Sequence, residues 1–400
     1  VPYPVDEMVK TSKTPLFIRI ARPTYGKMLL RSHRVNAVGL DALTALPPPY
    51  VLLSNHVHAM DPFIISSASP VHIRWVAGAY LFRLFGLRPL LERWVGAISK
   101  MQDKSDMHTL RQIRSALGAG DIVGIFPEGT RSWDGEPLEF TLAMAKMLKL
   151  FDVPVVILNL EGLYGHKPRW ARKSRKGKSV VRWVETIDAE SLREMDIPTL
   201  HERLLSAVQF SYRDWQAQER SPFISRHSAE GIEQILYLCP SCHAVGTILG
   251  SYSTIHCTAC SLQIRIDPYQ ELHIEAGECA VTDLSSWRSW QHSRLVEHFD
   301  SIDFPADRGI FLQMIEEYRL RTKLRFFSLQ LTTEGLLAVG SDTSELLLPF
   351  SEITSIVINA RNTLELSCQG VRYRIRIDQN SSTVKYIEYT YAFREQGGSS

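Results

Sequence analysis

Residues 50–62 are Tyr-Val-Leu-Leu-Ser-Asn-His-Val-His-Ala-Met-Asp-Pro. The first four form a short apolar run typical of a buried strand. Asp61-Pro62 is typical of a helix start, with the carboxylate as N-cap and proline at the first helical position. Such a helix would bring the Asp61 carboxylate back toward the strand end, within reach of His56. A carboxylate that holds one imidazole nitrogen leaves the other as a general base. The stretch therefore predicts an α/β unit with a candidate pair of Asp61 and a histidine base, which is His56 or its rival His58.

Two further strand ends bear groups that suit an anion. Residues 122–132 are Ile-Val-Gly-Ile-Phe-Pro-Glu-Gly-Thr-Arg-Ser, a predicted strand followed by a turn. Gly129 permits a sharp turn, and Thr130 and Arg131 offer a hydroxyl and a guanidinium fork for a phosphate. Lys100 follows another predicted strand. Because sites in open α/β folds lie at the carboxyl ends of strands, we expect these groups near His56. His58 is a rival base.

The first 220 residues alternate short apolar runs with helical stretches, which indicates an α/β layered sheet with helices. The predicted strands are 50–53, 73–77, 95–98, 122–126, 155–160 and 180–184, and the predicted helices are 107–117, 138–150 and 192–216.

Composition excludes several classes of protein. The chain has 400 residues, of which 44% are hydrophobic and 22% charged, as in ordinary globular proteins of two to four domains. The most apolar region, residues 75–98, is interrupted by four charged residues, so we expect no membrane-spanning helix. Pro15 and Pro23 break the only candidate secretory signal, which favours a cytoplasmic protein.

Charge is unevenly distributed along the chain. Residues 1–221 contain 30 Lys and Arg against 22 Asp and Glu, whereas the remainder contains 15 against 21. The basic part is expected to face an anionic lipid surface, a nucleic acid or a phosphorylated substrate, or to be a solvated basic face.

Four of the six cysteines form two Cys-x-x-Cys pairs, Cys239 with Cys242 and Cys257 with Cys260. Two such knuckles present four thiolates to one metal, which predicts a structural zinc ribbon. The alternative is a disulfide pair, which reducing compartments disfavour.

The last 90 residues show period-two alternation between turns, followed by a helix at 382–394. This pattern is typical of a small β-barrel of pleckstrin-homology type. The loops 332–335 and 340–345 contain acidic and no basic residues, which favours protein interaction or packing over lipid recognition. The predicted domains are 1–222, a zinc ribbon at 223–275, a helical linker at 276–308 and the β domain at 309–400.

The motifs of residues 1–222 resemble those of the glycerolipid acyltransferase family, which includes the lysophosphatidic acid acyltransferases. The shared stretches, in the family's order, are Asn55-His56-x-x-x-x-Asp61, Phe126-Pro127-Glu128-Gly129-Thr130-Arg131-Ser132 and Val153-Pro154-Val155. Ile98-Ser99-Lys100 and Pro168-Arg169-Trp170-Ala171 are similar to a bacterial subgroup, in which a lysine stands where many relatives have arginine.

The resemblance implies an acyltransferase domain that moves a fatty acyl group from a thioester of coenzyme A or acyl carrier protein to a hydroxyl of lysophosphatidic acid or a related lysophospholipid. His56 would be the general base and Asp61 its partner. The acceptor's glycerol phosphate would be bound by Glu128, Gly129, Thr130, Arg131 and Lys100.

Such substrates imply a membrane surface. Residues 16–30 and 80–94 interleave aromatic and basic side chains, and residues 169–178 contain six cations. These stretches favour peripheral attachment to the inner face of the cell membrane, although core helices with a basic rim and a solvated loop are alternatives. The basic run also suits an acidic carrier protein, and no nucleic acid is expected. The rival function is a non-catalytic scaffold, organised by the zinc ribbon, that binds a membrane or nucleic acid.

Overall fold

A seven-stranded mixed sheet organises the N-terminal unit of the computed structural model, which describes residues 14–83, 87–100, 107–316 and 319–397. Its strands are β1 (Val35–Val38), β2 (Val51–Ser54), β3 (Ile73–Gly78), β4 (Ile98–Lys100), β5 (Ile122–Ile125), β6 (Val155–Glu161) and β7 (Ser179–Ile187). Their order is β1-β7-β6-β2-β5-β3-β4. The five strands from β6 to β4 are parallel, and β7 runs antiparallel to β6. Segments that follow β2, β5 and β3 therefore lie at the same end of the sheet, where the carboxyl ends of these strands meet.

Twelve helical segments lie in the described part of this unit. They are α1 (Leu16–Ala21), α2 (Lys27–Ser32), α3 (Ala42–Ala45), α4 (Asp61–Ala68), α5 (Ala79–Phe82), α6 (Leu87–Pro89), α7 (Met107–Gly118), α8 (Ala143–Phe151), α9 (Leu163–His166), α10 (Ala189–Glu194), α11 (Ile197–Val208) and α12 (Tyr212–Glu219). Short π-helical turns occupy Arg22–Gly26 and Leu90–Val95. No described helix is both long and apolar enough to span a bilayer.

The hydrophobic core of this unit joins helices to the buried strands. Leu148 of α8 and Leu204 of α11 are buried in one cluster with Val155 and Ile157 of β6 and Val123 of β5. Both helices are amphipathic, so their apolar faces cover the sheet while their polar faces remain in water.

Three sequence predictions for this unit differ from the structure. The helix predicted at 192–216 is three helices, because Asp196 and Ser211 cap new starts with their side chains. The strand predicted at 95–98 is the end of a π-helical turn followed by β4. The helix predicted at 138–150 begins only at Ala143.

The C-terminal unit comprises Trp170–Arg175 and residues from Phe223 onward. Its four-stranded sheet contains β8 (Ile248–Ser251), β9 (Thr254–Cys257), β10 (Gln263–Ile266) and β11 (Leu272–Ala276). A seven-stranded antiparallel sheet follows helix α13 (Leu284–Glu297), in the order β15-β14-β13-β12-β18-β17-β16. Its strands are β12 (Asp307–Glu316), β13 (Arg319–Leu331), β14 (Gly335–Gly340), β15 (Glu345–Pro349), β16 (Ile353–Ala360), β17 (Thr363–Cys368) and β18 (Val371–Ile377), and helix α14 (Val384–Glu395) ends the unit. Short 3-10 turns occupy Ile232–Gln234 and Phe350–Glu352.

The predicted fold class is confirmed, namely an α/β layered sheet followed by a cysteine-knuckle segment and a β-rich region. Strand β12 was not predicted from the sequence. The pleckstrin-homology type of the β region and the four domain boundaries stay predictions.

Gln291 of α13 connects parts of the C-terminal unit. Its carbonyl oxygen accepts hydrogen bonds from the backbone N–H groups of Tyr237 (2.8 Å) and Leu238 (3.1 Å), and its amide donates to Ile235. The neighbouring Trp287 ring donates to the Leu238 carbonyl at 3.0 Å. Since residues 237–238 immediately precede the first cysteine knuckle, these buried bonds attach that knuckle to α13.

Candidate active site

His56 and Asp61 form the predicted pair directly after β2. The Nδ1 atom of His56 lies 2.8 Å from Oδ2 of Asp61. The same oxygen accepts hydrogen bonds from the backbone N–H groups of Val57 and His58, both at 2.8 Å. Asp61 is the first residue of α4 rather than its N-cap, which is Met60, and its side chain points back into the preceding loop.

The contact with Asp61 sets the tautomer of His56. A carboxylate accepts hydrogen bonds only, so Nδ1 carries the proton and Nε2 is the basic nitrogen. Asp61 is fully buried, whereas His56 keeps 20% of its side chain exposed. Burial lowers the pKa of His56, as do the charges of Arg131 and Arg169, while Asp61 opposes that shift. At neutral pH the imidazole is therefore uncharged and able to accept a proton.

A stack of two aromatic rings, those of Phe126 and Trp75, fixes the plane of the His56 ring. Its ring stacks on Phe126 with centroids 4.2 Å apart, and Phe126 stacks on Trp75 of β3 at 4.7 Å. Gly124 of β5 makes room for this stack, since a Cβ atom there would lie 2.5 Å from the Trp75 ring. The position of the His56 ring thus depends on β2, β5 and β3 together.

The 126–132 loop is hydrogen-bonded to the His56 segment. The backbone N–H of Ser132 donates to the His56 carbonyl at 3.0 Å, and the backbone N–H of His56 donates to the Glu128 carboxyl. Gly129 adopts φ +70°, with space for a Cβ atom, so conformation rather than crowding favours glycine there. The structure therefore brings His56, Asp61, Glu128, Gly129 and Thr130 together in two joined loops.

Glu128 is a carboxyl group that favours its neutral form. Burial raises its pKa to about 9, the charge of Asp61 raises it as well, and the hydrogen bond from His56 lowers it. Its Oε2 atom is buried and has no hydrogen-bond partner among the residues described. A protonated carboxyl group donates one hydrogen bond, so Glu128 can donate to a bound hydroxyl or carbonyl oxygen.

Two arginines, Arg131 and Arg169, lie beside the His56–Asp61 pair. Burial lowers the pKa of Arg131, and the nearby Tyr80 and Asp61 act on it in the opposite direction. Arg169 donates from Nη1 to the Thr130 hydroxyl at 2.9 Å. In the sequence, Arg169 belongs to a basic run and a subgroup motif, and neither pattern predicts its place beside Thr130. Its hydrogen bond to Thr130 could not be predicted from the local sequence, because the two residues are far apart in the chain.

Two further cations of the basic run contact other residues. Arg172 pairs with Glu233 at 2.5 Å, and the buried Arg175 donates to the Ser228 carbonyl at 2.6 Å. These two cations are therefore engaged within the C-terminal unit.

Within the described part of the chain, Lys100 makes no hydrogen bond or ion pair with the other predicted residues. It ends the edge strand β4, is exposed, and lies opposite Gly78 of β3. Two strands separate β4 from β2 in the sheet, which places these strands about 14 Å apart at about 4.8 Å per strand. Its role in binding substrate stays a prediction.

His58 is a buried neutral histidine rather than an exposed base. It is 5% exposed, and its Nδ1 accepts a hydrogen bond from the backbone N–H of Met60 at 3.2 Å. Burial lowers its pKa to about 4, and the charges of His33, Arg131 and Lys167 act in the same direction. His58 therefore supports the loop in its uncharged form.

The four predicted cysteine ligands converge in the C-terminal unit. Their sulfur atoms all lie within 4.8 Å of one another. Sγ of Cys239 is 3.7 Å from that of Cys260, and Sγ of Cys242 is 3.8 Å from that of Cys257. A tetrahedral zinc with Zn–S bonds of about 2.3 Å requires sulfur atoms about 3.8 Å apart. The residues present thus fit a structural zinc ion.

We expect replacement of His58 to make the free energy of unfolding depend less on pH below neutrality. Between its ordinary pKa of 6.5 and its folded value of about 4, the unfolded chain binds a proton that the folded chain does not. The free energy of unfolding therefore falls as pH falls through this window. Urea denaturation at pH 7 and pH 4.5 should show His58→Gln losing about 2 kcal/mol less than the wild type. The exposed His108, changed to Gln, is the matched control, and equal losses in both variants would contradict the assignment.

We expect the double variant Cys239→Ser/Cys257→Ser, which removes one ligand from each knuckle, to lose bound zinc. Serine is a poor zinc ligand at neutral pH, so two of four ligands disappear. Zinc per purified chain, measured by atomic emission, should fall from about one equivalent to a small fraction. Cys279→Ser lies outside the cluster and should retain the metal. Full zinc content in the double variant would exclude this site.

Residues 34–159, which contain both loops, match the family model described as Acyltransferase. The 1-acyl-sn-glycerol-3-phosphate acyltransferase alpha of Ovis aries is 26% identical over 177 residues, 42% of this chain and 60% of that protein. The chloroplastic 1-acyl-sn-glycerol-3-phosphate acyltransferase LPAT1 of Arabidopsis thaliana is 27% identical over 131 residues, 32% of this chain and 36% of that protein.

Among solved structures, the 1-acyl-sn-glycerophosphate acyltransferase PlsC of Thermotoga maritima is similar with a TM-score of 0.42 and 20% identity, over 50% of this chain and 78% of that chain. The chain spans about 60% of the length of the mammalian relative. The predicted resemblance to the glycerolipid acyltransferase family is confirmed by the match of residues 34–159 to the Acyltransferase model and by the relatives' aligned regions.

Proposed function

We propose that this protein transfers a fatty acyl group from a thioester to a hydroxyl of lysophosphatidic acid or a related lysophospholipid. The observation that carries the proposal is the His56–Asp61 pair, held at a strand end beside Arg131 and Glu128. The relatives' names support the reaction class, and the contact of His56 with Asp61 beside Arg131 supports a base next to an anion site.

The chemistry divides among few groups. Nε2 of His56 takes the proton from the acceptor hydroxyl while that oxygen bonds to the thioester carbonyl carbon. Asp61 holds Nδ1–H and stabilises the imidazolium that forms. When the intermediate collapses, the carbon–sulfur bond breaks and the same proton passes to the departing thiolate. The reaction balances with an ester and a thiol as products.

Arg131 and Glu128 suit the acceptor. The guanidinium offers a charged fork for the phosphate. An ionised Glu128 would repel that phosphate, whereas the neutral form favoured by burial donates a hydrogen bond to a glycerol oxygen. Both coenzyme A and acyl carrier protein are proposed as carriers of the acyl group.

We expect His56→Ala to reduce acyl transfer from a labelled acyl thioester to lysophosphatidic acid in mixed vesicles by about 10²- to 10⁴-fold, because general base catalysis contributes that much. Asp61→Asn should reduce the rate as well, since an amide does not stabilise the imidazolium. His108→Ala, an exposed histidine of α7, is the control for loss of any histidine.

Each variant is first shown to be folded by circular dichroism. Transfer by folded His56→Ala at the wild-type rate would contradict the proposed base. Absence of transfer in the wild type, with both carrier types and several lysophospholipids, would favour the rival scaffold function. A nucleic-acid-binding scaffold would be retained on DNA or RNA in a steeply salt-dependent manner.

An anionic bilayer is the proposed docking partner of the N-terminal helices. Leu16, Ile20 and Met28 expose 68%, 58% and 57% of their surface. Phe17 of α1 packs on Trp94, which is itself 53% exposed, with ring centroids 5.5 Å apart. Basic side chains among these apolar ones also point to solvent: Arg19, Lys27, Arg31 and Arg93. Exposed apolar groups with interspersed cations suit a lipid interface. The same predicted stretch 80–94 includes residues 84–86, which lie outside the described part.

We expect Ile20→Glu/Trp94→Glu to weaken cosedimentation with phosphatidylglycerol-containing vesicles by at least about tenfold, since each change replaces inserted apolar area with a repelled charge. Leu150→Glu is the matched control, because Leu150 is 58% exposed at the end of α8. Equal binding of the double variant and the control would exclude this surface as the membrane contact.

A further inference from the structure

Arg169 lies beside Arg131 in a position prepared for an anion. Its Nη1 atom donates to the Thr130 hydroxyl at 2.9 Å, and the Arg131 carbonyl is 3.4 Å from the same nitrogen. Its guanidinium carbon lies 4.0 Å from the centroid of the Trp133 ring. A guanidinium stacked on an aromatic face and bonded at one edge has few alternative rotamers, so its orientation is set before any ligand binds.

The two guanidiniums act on each other as like charges. Burial and the charge of Arg131 lower the pKa of Arg169 to about 9, yet this still leaves it cationic at neutral pH. Arg131 has no carboxylate ion-pair partner within the described ranges. Two neighbouring, partly buried cations repel each other, and a bound dianion relieves that repulsion more than a monoanion does.

We propose that Arg169 and Arg131 together bind the phosphate monoester of the acceptor, and that Arg169 makes the site selective for phosphorylated over neutral acceptors. This inference rests on the proposed function and deepens it. Lys100, on the sheet's far strand, was expected to supply this second cation. Arg169 offers a second cation beside Arg131, with a planar fork that matches two phosphate oxygens.

A phosphate held there also acts on the base. The charges of Arg131 and Arg169 both lower the pKa of His56. An anion bound between these arginines offsets their charges, so the pKa of His56 rises toward its ordinary value when the phosphorylated acceptor is present. A phosphorylated acceptor therefore encounters a stronger base than a neutral one.

The test compares Arg169→Gln, Arg169→Lys and the control Arg114→Gln, an exposed arginine of α7, in the full chain. Binding of a short-chain lysophosphatidic acid is measured by calorimetry without any acyl donor. We expect Arg169→Gln to weaken binding by about 10- to 100-fold, the value of a charge-assisted hydrogen-bonded contact, and Arg169→Lys to fall in between. Arg114→Gln should bind as the wild type does.

Kinetics then separate selectivity from folding. Arg169→Gln should raise KM for lysophosphatidic acid by a much larger factor than KM for monoacylglycerol or for the acyl thioester. Wild-type binding by folded Arg169→Gln, or equal losses with the phosphorylated and neutral acceptors, would overturn the inference. Binding by the wild type that depends on Arg169 but leads to no transfer would instead refute the proposed function and leave the phosphate site standing.

Discussion

The candidate site depends on one oxygen atom, Oδ2 of Asp61. It accepts three hydrogen bonds, from the His56 ring and from the backbone N–H groups of Val57 and His58, each 2.8 Å long. A fully buried carboxylate is costly unless its charge is shared among donors. The same three bonds that stabilise this charge also shape the loop and select the imidazole tautomer. Loop geometry and base chemistry therefore have a single physical origin.

The parallel strands turn this local arrangement into a site. Because β2, β5 and β3 are neighbours, the loop after β5 can bond to the backbone of His56 and place Phe126 against its ring. Burial then acts in opposite directions on two groups, since it lowers the pKa of His56 and raises that of Glu128. This end of the sheet thus holds the neutral base His56, the neutral acid Glu128 and the cations Arg131 and Arg169.

Contacts between residues close in sequence were predictable. The order of strands in the sheet and the contacts between distant segments were not. The contact of His56 with Asp61 follows from five residues of separation and a helix start. Lys100 was expected at the same site because it also ends a strand, but strand order is a tertiary property, and β4 lies at the edge. The positions of Arg169 and Trp75 were not predicted, since their contacts with Thr130 and Phe126 join distant segments.

In the C-terminal unit the cysteine spacing predicted the convergence of four sulfur atoms, whereas the hydrogen bonds of Gln291 to the adjoining backbone left no pattern in the sequence.

Burial keeps His56 neutral, and Asp61 fixes its proton on Nδ1 and leaves the lone pair on Nε2. The most direct test is ¹⁵N NMR of histidine-labelled protein at pH 7, with the His56 signals assigned by their loss in His56→Gln. The account predicts a protonated Nδ1, an unprotonated Nε2 and an apparent pKa below 6.5, with the tautomer preference weakened in Asp61→Asn. A His56 ring that is doubly protonated at pH 7, or that has its proton on Nε2, would contradict it.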